Sequence, residues 1–191
     1  MSERWWILPY LKYALQWFQW ALEEQWERKL PYNVDTTVQR AVAYSDAEST
    51  GHMAVVVIFQ DSIWYQAGLI QKEIRARLQP RKTQIVAYEL IAAVMTVLLV
   101  SRILPSGVVL RQFVDNLPSK PCVVQAHTKQ WELNELTGLL WFQCGKLLQS
   151  YWVSYARSND NLAHAPSRGR YHILKQFGAE RIDLIFPSSS S

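Results

Sequence analysis

Three acidic residues occupy positions in the sequence that are predicted to lie at strand ends or in a very apolar helix. Asp46 follows one strand-like segment and precedes the very apolar run in "SDAESTGHMAVVVIF" (45–59), Glu89 lies near the start of the most apolar predicted helix, and Asp115 ends a further predicted strand. A lone carboxylate that faces a core is costly unless it is paired or neutralised. If the two strands lie side by side, both aspartates emerge at the same edge and the helix can place Glu89 beside them.

A cluster of three carboxylates repels itself and persists only when cations neutralise it. Oxygen ligands without cysteine or histidine suit a hard ion such as Mg²⁺ or Mn²⁺. Two such ions, about 4 Å apart, can activate a water and hold the leaving oxygen of a phosphodiester. Taken singly, Asp46 and Asp115 also fit turn residues at strand ends, and Glu89 also fits a buried acid paired with an arginine. The joint pattern favours a metal site.

The elements that must position these acids follow from hydrophobic patterning. Alternating or β-branched runs predict strands, and they lie at 38–44, 53–60, 62–67, 108–114 and 151–157. Helical spacing predicts helices at 83–102, with Thr83 as N-cap, and at 118–128 and 133–150, followed by a short terminal element. The order β-β-β-α-β-α-α-β-α predicts a single α/β domain with a five-stranded mixed sheet flanked by helices. Three tryptophans are expected in its core: Trp131, Trp141 and Trp152.

An aromatic amphipathic helix is predicted ahead of this domain, from Pro9 to Leu30, and Pro31 should stop it. It fits a helix that packs on the domain, a stub that joined a preceding domain, or an interfacial membrane helix, although the mixed charge of its polar face argues against a membrane. The expected organisation is therefore an N-terminal extension (1–37), the α/β domain (38–170) and a C-terminal tail (171–191).

Composition narrows the class of protein. The chain has 191 residues, is 49% hydrophobic, and carries a net charge of +4, which is compatible with a polyanionic partner. Two cysteines make neither a disulfide framework nor a zinc site, so an intracellular location, cytoplasmic or nuclear, is expected. The apolar run 85–100 contains Glu89 and is too short for a membrane span, so no membrane partner is expected.

Four segments resemble, in order, the motifs of the ribonuclease H-like domain that follows the reverse transcriptase in retroelement (retrotransposon) polyproteins. The segments are "YSDAESTGHMAVVV", "RKTQIVAYELIAAV", "FVDN" and "NDNLAHAPSRG". The resemblance covers about residues 38–170 and implies a ribonuclease H-like fold. It also implies that the N-terminal helix corresponds to the connection from a polymerase, with a reverse transcriptase domain of the same polyprotein as a partner.

The resemblance further implies cleavage of the RNA strand of an RNA–DNA hybrid with two ions of Mg²⁺ or Mn²⁺. Asp46, Glu89 and Asp115 would be the catalytic metal ligands. The same resemblance assigns hybrid contacts to a second set of residues. These are Gly51, whose backbone would lie near the hybrid, Arg81 and Lys82 at phosphates, Asn116 at the sugar–phosphate backbone, and Arg168.

One catalytic position departs from the family, because His164 stands where the last motif has aspartate. A neutral imidazole can bind a metal through nitrogen, whereas Mg²⁺ prefers oxygen; a protonated imidazole could help a leaving group or product depart. A second hypothesis is therefore a weakened or inactive relative with a structural or nucleic-acid-binding role. A membrane-associated protein that uses the Trp-rich helix, and an integrase-like polynucleotidyl transferase, are further alternatives.

Overall fold

The computed structural model describes residues 39–116, 119–125, 128 and 130–186, together with six residues nearer the N-terminus. Those six are helical: Lys12, Leu15, Gln16, Gln19, Leu22 and Glu23. The rest of the predicted N-terminal helix, and the boundary of the extension at residue 37, lie outside the described residues.

A mixed sheet forms the centre of the fold. Its strands are β1 (Arg40–Ala47), β2 (His52–Phe59), β3 (Ser62–Leu69), β4 (Val108–Val114), β5 (Leu148–Tyr155) and β6 (Glu180–Arg181). They lie in the order β5-β4-β1-β2-β3-β6. The meander β1-β2-β3 is antiparallel, whereas β4 is parallel to both β1 and β5. The predicted mixed α/β sheet is confirmed, and a sixth strand of two residues extends it beyond the expected five.

The parallel pairing of β1 with β4 is what brings the aspartates together. Ser45 pairs with Val114 in the register of the two strands, so the chain reaches Asp46 and Asp115 at the same level. Because alternate residues of a strand point to opposite faces, both aspartates emerge on the face opposite Ser45 and Val114.

The helices are α1 (Lys72–Arg77), α2 (Ile85–Ile103), α3 (Ser119–Gln125), α4 (Trp131–Leu147), α5 (His164–Ser167) and α6 (His172–Gln176). The sequence patterns missed α1, a single short helix with no buried residue. At α2 the N-cap is Gln84, one residue later than predicted. The Thr83 hydroxyl still accepts a hydrogen bond from the backbone N–H of Ile85, at 3.3 Å.

The main core lies between the sheet and α2 with α4. Helix α2 is long and apolar enough to cross a membrane by length and composition, but most of it is buried inside the fold. Burial between the sheet and α4 explains its apolar character without a bilayer.

Among the described residues, the opposite face of the sheet is covered over its β2–β3 half. There α5 and α6 contribute Ala163 and Leu174 to a small cluster with Val56 and Tyr65. The sequence analysis places residues 171–186 in a tail. In the structure, α6 packs on this face and β6 pairs with β3. Ile182 N donates to Tyr65 O at 2.8 Å, and Phe186 is buried.

A buried chain of polar side chains crosses the three parallel strands. The Gln112 amide donates to Ser45 Oγ at 2.6 Å, and the Tyr151 hydroxyl donates to Gln112 Oε1 at 2.6 Å. Burial raises the pKa of Tyr151 well above its ordinary value, which keeps the hydroxyl protonated as a donor. Because each group depends on its neighbour, the chain ties β1, β4 and β5 into one register just before the two aspartates.

Replacing Tyr151 by phenylalanine should therefore destabilise the fold, because Gln112 Oε1 loses its donor in a buried site. We expect the free energy of unfolding to fall by roughly 1–3 kcal/mol, measured by denaturant or thermal unfolding. Tyr155→Phe is the matched control, since Tyr155 is 42% exposed and should change little. Equal stability of Y151F and the unchanged protein would show that the polar chain does not hold the strands.

Candidate metal centre

Three side chains from separate parts of the chain converge at the ends of β1 and β4. Asp46 is the penultimate residue of β1, Asp115 follows β4 directly, and His164 begins α5. One possible ligand atom from each lies within 4.8 Å of the others. Two carboxylates and an imidazole at this spacing are a donor set that can hold a divalent metal ion.

Glu89 approaches the same edge from α2. Its Oε1 accepts a hydrogen bond from Ala47 N at 3.2 Å, and its Oε2 is buried without a hydrogen-bond donor among the described residues. Burial, followed by the negative charges of Asp46 and Asp115, raises the pKa of Glu89 to about 9. In the absence of a cation, Glu89 therefore carries a proton at neutral pH.

Asp46 is 2% exposed and its two oxygens have different surroundings. Oδ2 accepts hydrogen bonds from the Ser167 hydroxyl and from Arg168 Nη1, the latter at 2.7 Å. Burial raises the pKa of Asp46 to about 6, the Ser167 bond opposes that rise, and the charge of Asp115 adds to it. Oδ1 remains turned towards the imidazole of His164.

The imidazole of His164 lies at the centre of this cluster. Its Nδ1 is 3.8 Å from Asp46 Oδ1, 3.5 Å from Asp115 Oδ2 and 3.1 Å from Arg168 Nη1. Arginine has donors only, so where Arg168 donates to Nδ1 that nitrogen presents a lone pair. A neutral ring with an accepting nitrogen is the form in which histidine binds metals.

Two residues that the sequence analysis did not single out hold α5 in place. The Asn161 side-chain amide donates to Ser45 O at 2.9 Å, and its oxygen accepts from Ala163 N at 3.0 Å. Ser167 donates both to Asp46 and to His164 O. The motif "NDNLAHAPSRG" contains both residues, but their roles depend on contacts with β1 that no local pattern reveals.

The residues predicted to contact nucleic acid differ in their surroundings: some lie at the cluster, one is in an ion pair and one is exposed. Arg168 contacts the cluster directly, as described, and Asn116 follows Asp115. Arg81 forms an ion pair with Glu132 of α4, so its guanidinium is engaged within the fold, whereas Lys82 is exposed.

Gly51 has a structural explanation in the turn between β1 and β2. Its φ is +90°, and an added Cβ would lie 3.1 Å from Arg75 Cδ. A side chain would therefore be strained there whether or not nucleic acid approaches.

The chemistry of these groups fits one divalent ion well. Asp46 Oδ1, Asp115 Oδ2 and His164 Nδ1 are the three donor atoms. Asp46 Oδ2 already accepts two hydrogen bonds, and a metal ion at Nδ1 would have to displace Arg168 Nη1. Because one of the three donors is nitrogen, the set suits Mn²⁺ or another transition metal better than Mg²⁺. Glu89 adds a buried oxygen beside this set.

The layered mixed sheet and its element order give the chain a ribonuclease H-like fold. It resembles the N-terminal RNase H domain of a Mycobacterium tuberculosis protein, solved as a fusion with maltose-binding protein, with a TM-score of 0.51, 14% identity, and coverage of 74% of this chain and 99% of that chain.

A second solved structure is RNase H1 from the halophilic archaeon Halobacterium salinarum, with a TM-score of 0.45, 12% identity, and coverage of 67% of this chain and 92% of that chain. No protein-family model and no curated protein matches the sequence.

The protonation of Glu89 predicts how stability depends on pH without divalent ions. The pKa of Glu89 rises on folding from its ordinary 4.5 to about 9. The folded protein therefore holds a proton that the unfolded chain has lost, and the free energy of unfolding should fall as pH rises through this window. Glu89→Gln should flatten the decline above pH 6 and raise stability at pH 8–9 by roughly 1–3 kcal/mol.

The measurement is unfolding in EDTA at a series of pH values. Glu73→Gln is the matched control, because Glu73 is exposed on α1. A profile for E89Q that runs parallel to that of the unchanged protein between pH 6 and 9 would contradict the buried, protonated state of Glu89.

Proposed function

We propose that this chain is a divalent-metal-dependent endonuclease that cleaves the RNA strand of RNA–DNA hybrids. The observation that carries the proposal is the meeting of Asp46, Asp115 and His164, with Glu89 beside them, at the ends of adjacent parallel strands in a ribonuclease H-like sheet. The net charge of +4 suits a polyanionic substrate.

Within this proposal the chain's own residues bind and orient. Ser167 and Arg168 fix Asp46 through Oδ2, which leaves Oδ1 directed at the metal position. Asp115 and His164 supply the other donors, and Glu89 is the acid available for a second ion of Mg²⁺ or Mn²⁺. A divalent ion bound here supplies Lewis-acid chemistry, which polarises phosphate oxygens and promotes ionisation of water.

A second candidate function is a hybrid-binding module with weak or no turnover. The guanidinium of Arg168, at 2.7 Å from Asp46 Oδ2, already balances one negative charge of the cluster. The nitrogen of His164 replaces an oxygen that Mg²⁺ would prefer. Both features should lower the affinity of the site for Mg²⁺. They therefore favour the binding module under conditions where Mg²⁺ is the only abundant divalent ion.

The proposal extends to the setting of the chain. We propose an origin in a retrotransposon polyprotein, with a reverse transcriptase domain of the same polyprotein as the partner and the cytoplasm or nucleus as the location. The four ordered motifs of the sequence support this extension.

The metal preference can be tested apart from activity. Millimolar Mn²⁺ should raise the melting temperature more than the same concentration of Mg²⁺, because His164 offers nitrogen; binding at 100 times Kd adds about 2.7 kcal/mol, or roughly 5–11 °C. His164→Asp should increase the shift with Mg²⁺, and His172→Asp, at an exposed histidine of α6, serves as the control. No shift with either ion in the unchanged protein would remove the metal centre.

Cleavage tests the proposed reaction itself. A labelled RNA–DNA hybrid should be cut in its RNA strand with Mn²⁺, and DNA–DNA and RNA–RNA duplexes should remain intact. Asp115→Asn should lower the rate by roughly 10²-fold or more, since it removes a charged ligand at the reacting phosphate. Asp61→Asn, in the exposed turn after β2, should match the unchanged protein.

The outcome with His164→Asp separates the two candidate functions. A higher rate with Mg²⁺ in H164D supports the weakened-enzyme form of the proposal. Hybrid binding without cleavage in both forms would favour the binding module, and full cleavage by D115N would defeat the metal mechanism.

A further inference from the structure

The sheet face that carries Asp46 and Asp115 continues away from the metal centre as a surface of aromatic rings and arginines. Alternate residues of β1, β4 and β5 share this face. The surface consists of Arg40, Tyr44, Arg111, Phe113, Trp152 and Ser154, and is called the aromatic face below.

The rings of the aromatic face hold one another in position. Tyr44 and Phe113 stack across β1 and β4 with centroids 5.2 Å apart and ring planes 18° from parallel. The guanidinium of Arg111 lies 5.0 Å from the centroid of Phe113, and its Nε donates to Ser154 Oγ at 3.3 Å. Such a face needs little reordering before it binds a flat ligand.

The described residues leave the β4–β5 part of this face open, whereas Tyr44 of β1 packs against the cluster under α5 and α6. Helix α5 has four residues and lies over the β2–β3 half of the sheet, so it does not extend across β4 and β5. Trp152, on the edge strand β5, is 65% exposed, and Arg111 beside it is also exposed. An exposed tryptophan that neighbours an exposed arginine is typical of a binding surface rather than of a solvated strand.

A depression in the surface includes the two stacked rings of the aromatic face. Tyr44, Phe113, Ala156 and Arg157 line it together with Tyr155 and Asp160. Tyr44 and Phe113 stand two residues before Asp46 and Asp115, which is about 7 Å along each strand. A nucleic-acid strand bound at the metal centre and running along the sheet would therefore contact the stacked rings next.

We propose that the aromatic face binds single-stranded nucleic acid that extends from the duplex at the metal centre. Unpaired bases stack on exposed aromatic rings such as that of Trp152, and arginines on the same face donate hydrogen bonds to the phosphates. In a duplex the base faces are already stacked on one another, so the rings cannot stack on the bases of a fully paired hybrid. A purely apolar partner would offer no negative charge or hydrogen-bond acceptor to the arginines.

The placement of this strand relative to the metal centre rests on the proposed function, whereas its binding to the face does not. The consequence is a preference for hybrids that carry an unpaired extension next to the paired region. Each stacked base should strengthen binding roughly fivefold to a hundredfold.

The test compares affinities of the full chain, in EDTA, for a blunt RNA–DNA hybrid and for the same hybrid with a short unpaired extension. Separate arms place the extension on the RNA strand and on the DNA strand, and fluorescence anisotropy reports binding. In at least one arm the extension should tighten binding about tenfold. Trp152→Ala and Arg111→Ala should each lower that ratio towards one, and Phe177→Ala, at a residue that is 69% exposed on another surface, should keep it.

A ratio of one for the unchanged protein in both arms would overturn the inference, as would a W152A ratio equal to that of the unchanged protein. Because EDTA prevents metal binding, the affinity ratio is measured independently of cleavage. A high ratio of affinities for the extended and blunt hybrids, in a protein that cuts no hybrid, would support this inference and contradict only the proposed function.

Discussion

Repulsion among three neighbouring carboxyl groups, of which Asp46 and Glu89 are buried and Asp115 is partly buried, is the constraint on which the rest of the structure depends. Asp46, Asp115 and Glu89 share one edge because β1 and β4 are parallel neighbours and α2 crosses the end of β1. Negative charges this close cannot all remain ionised without compensation. The fold compensates in two ways: a proton on Glu89 and the guanidinium of Arg168 on Asp46.

This compensation makes the metal centre different from a purely acidic one. Where a fourth carboxylate would add negative charge and therefore attract cations more strongly, His164 supplies an imidazole nitrogen. Arg168 contacts both Asp46 Oδ2 and His164 Nδ1, so the guanidinium and a metal ion compete for neighbouring donors. The cluster can consequently exist without metal at a lower electrostatic cost, and its affinity for Mg²⁺ should be lower in proportion.

Patterns within the sequence predicted a mixed sheet and two aspartates at strand ends, because alternation and strand-end residues are local properties. They failed where long-range contacts decide. Trp152 was expected in the core and is 65% exposed, since its strand lies at the sheet edge and Tyr151 takes the buried face. Trp131 was also expected in the core and is 44% exposed. Strand β6 has only two polar residues, and nothing in "ER" predicts that it pairs with β3.

The roles of Asn161 and Ser167 follow the same logic. Each bridges α5 to β1 across more than 110 positions of sequence, so its partner is invisible to any pattern of nearby residues. Helix α5 has four residues and packs over β2 and β3, which leaves the β4–β5 half of the face uncovered by the described helices. One set of contacts thus holds α5 beside Asp46 and Asp115, while the described helices leave the aromatic face next to these acids uncovered.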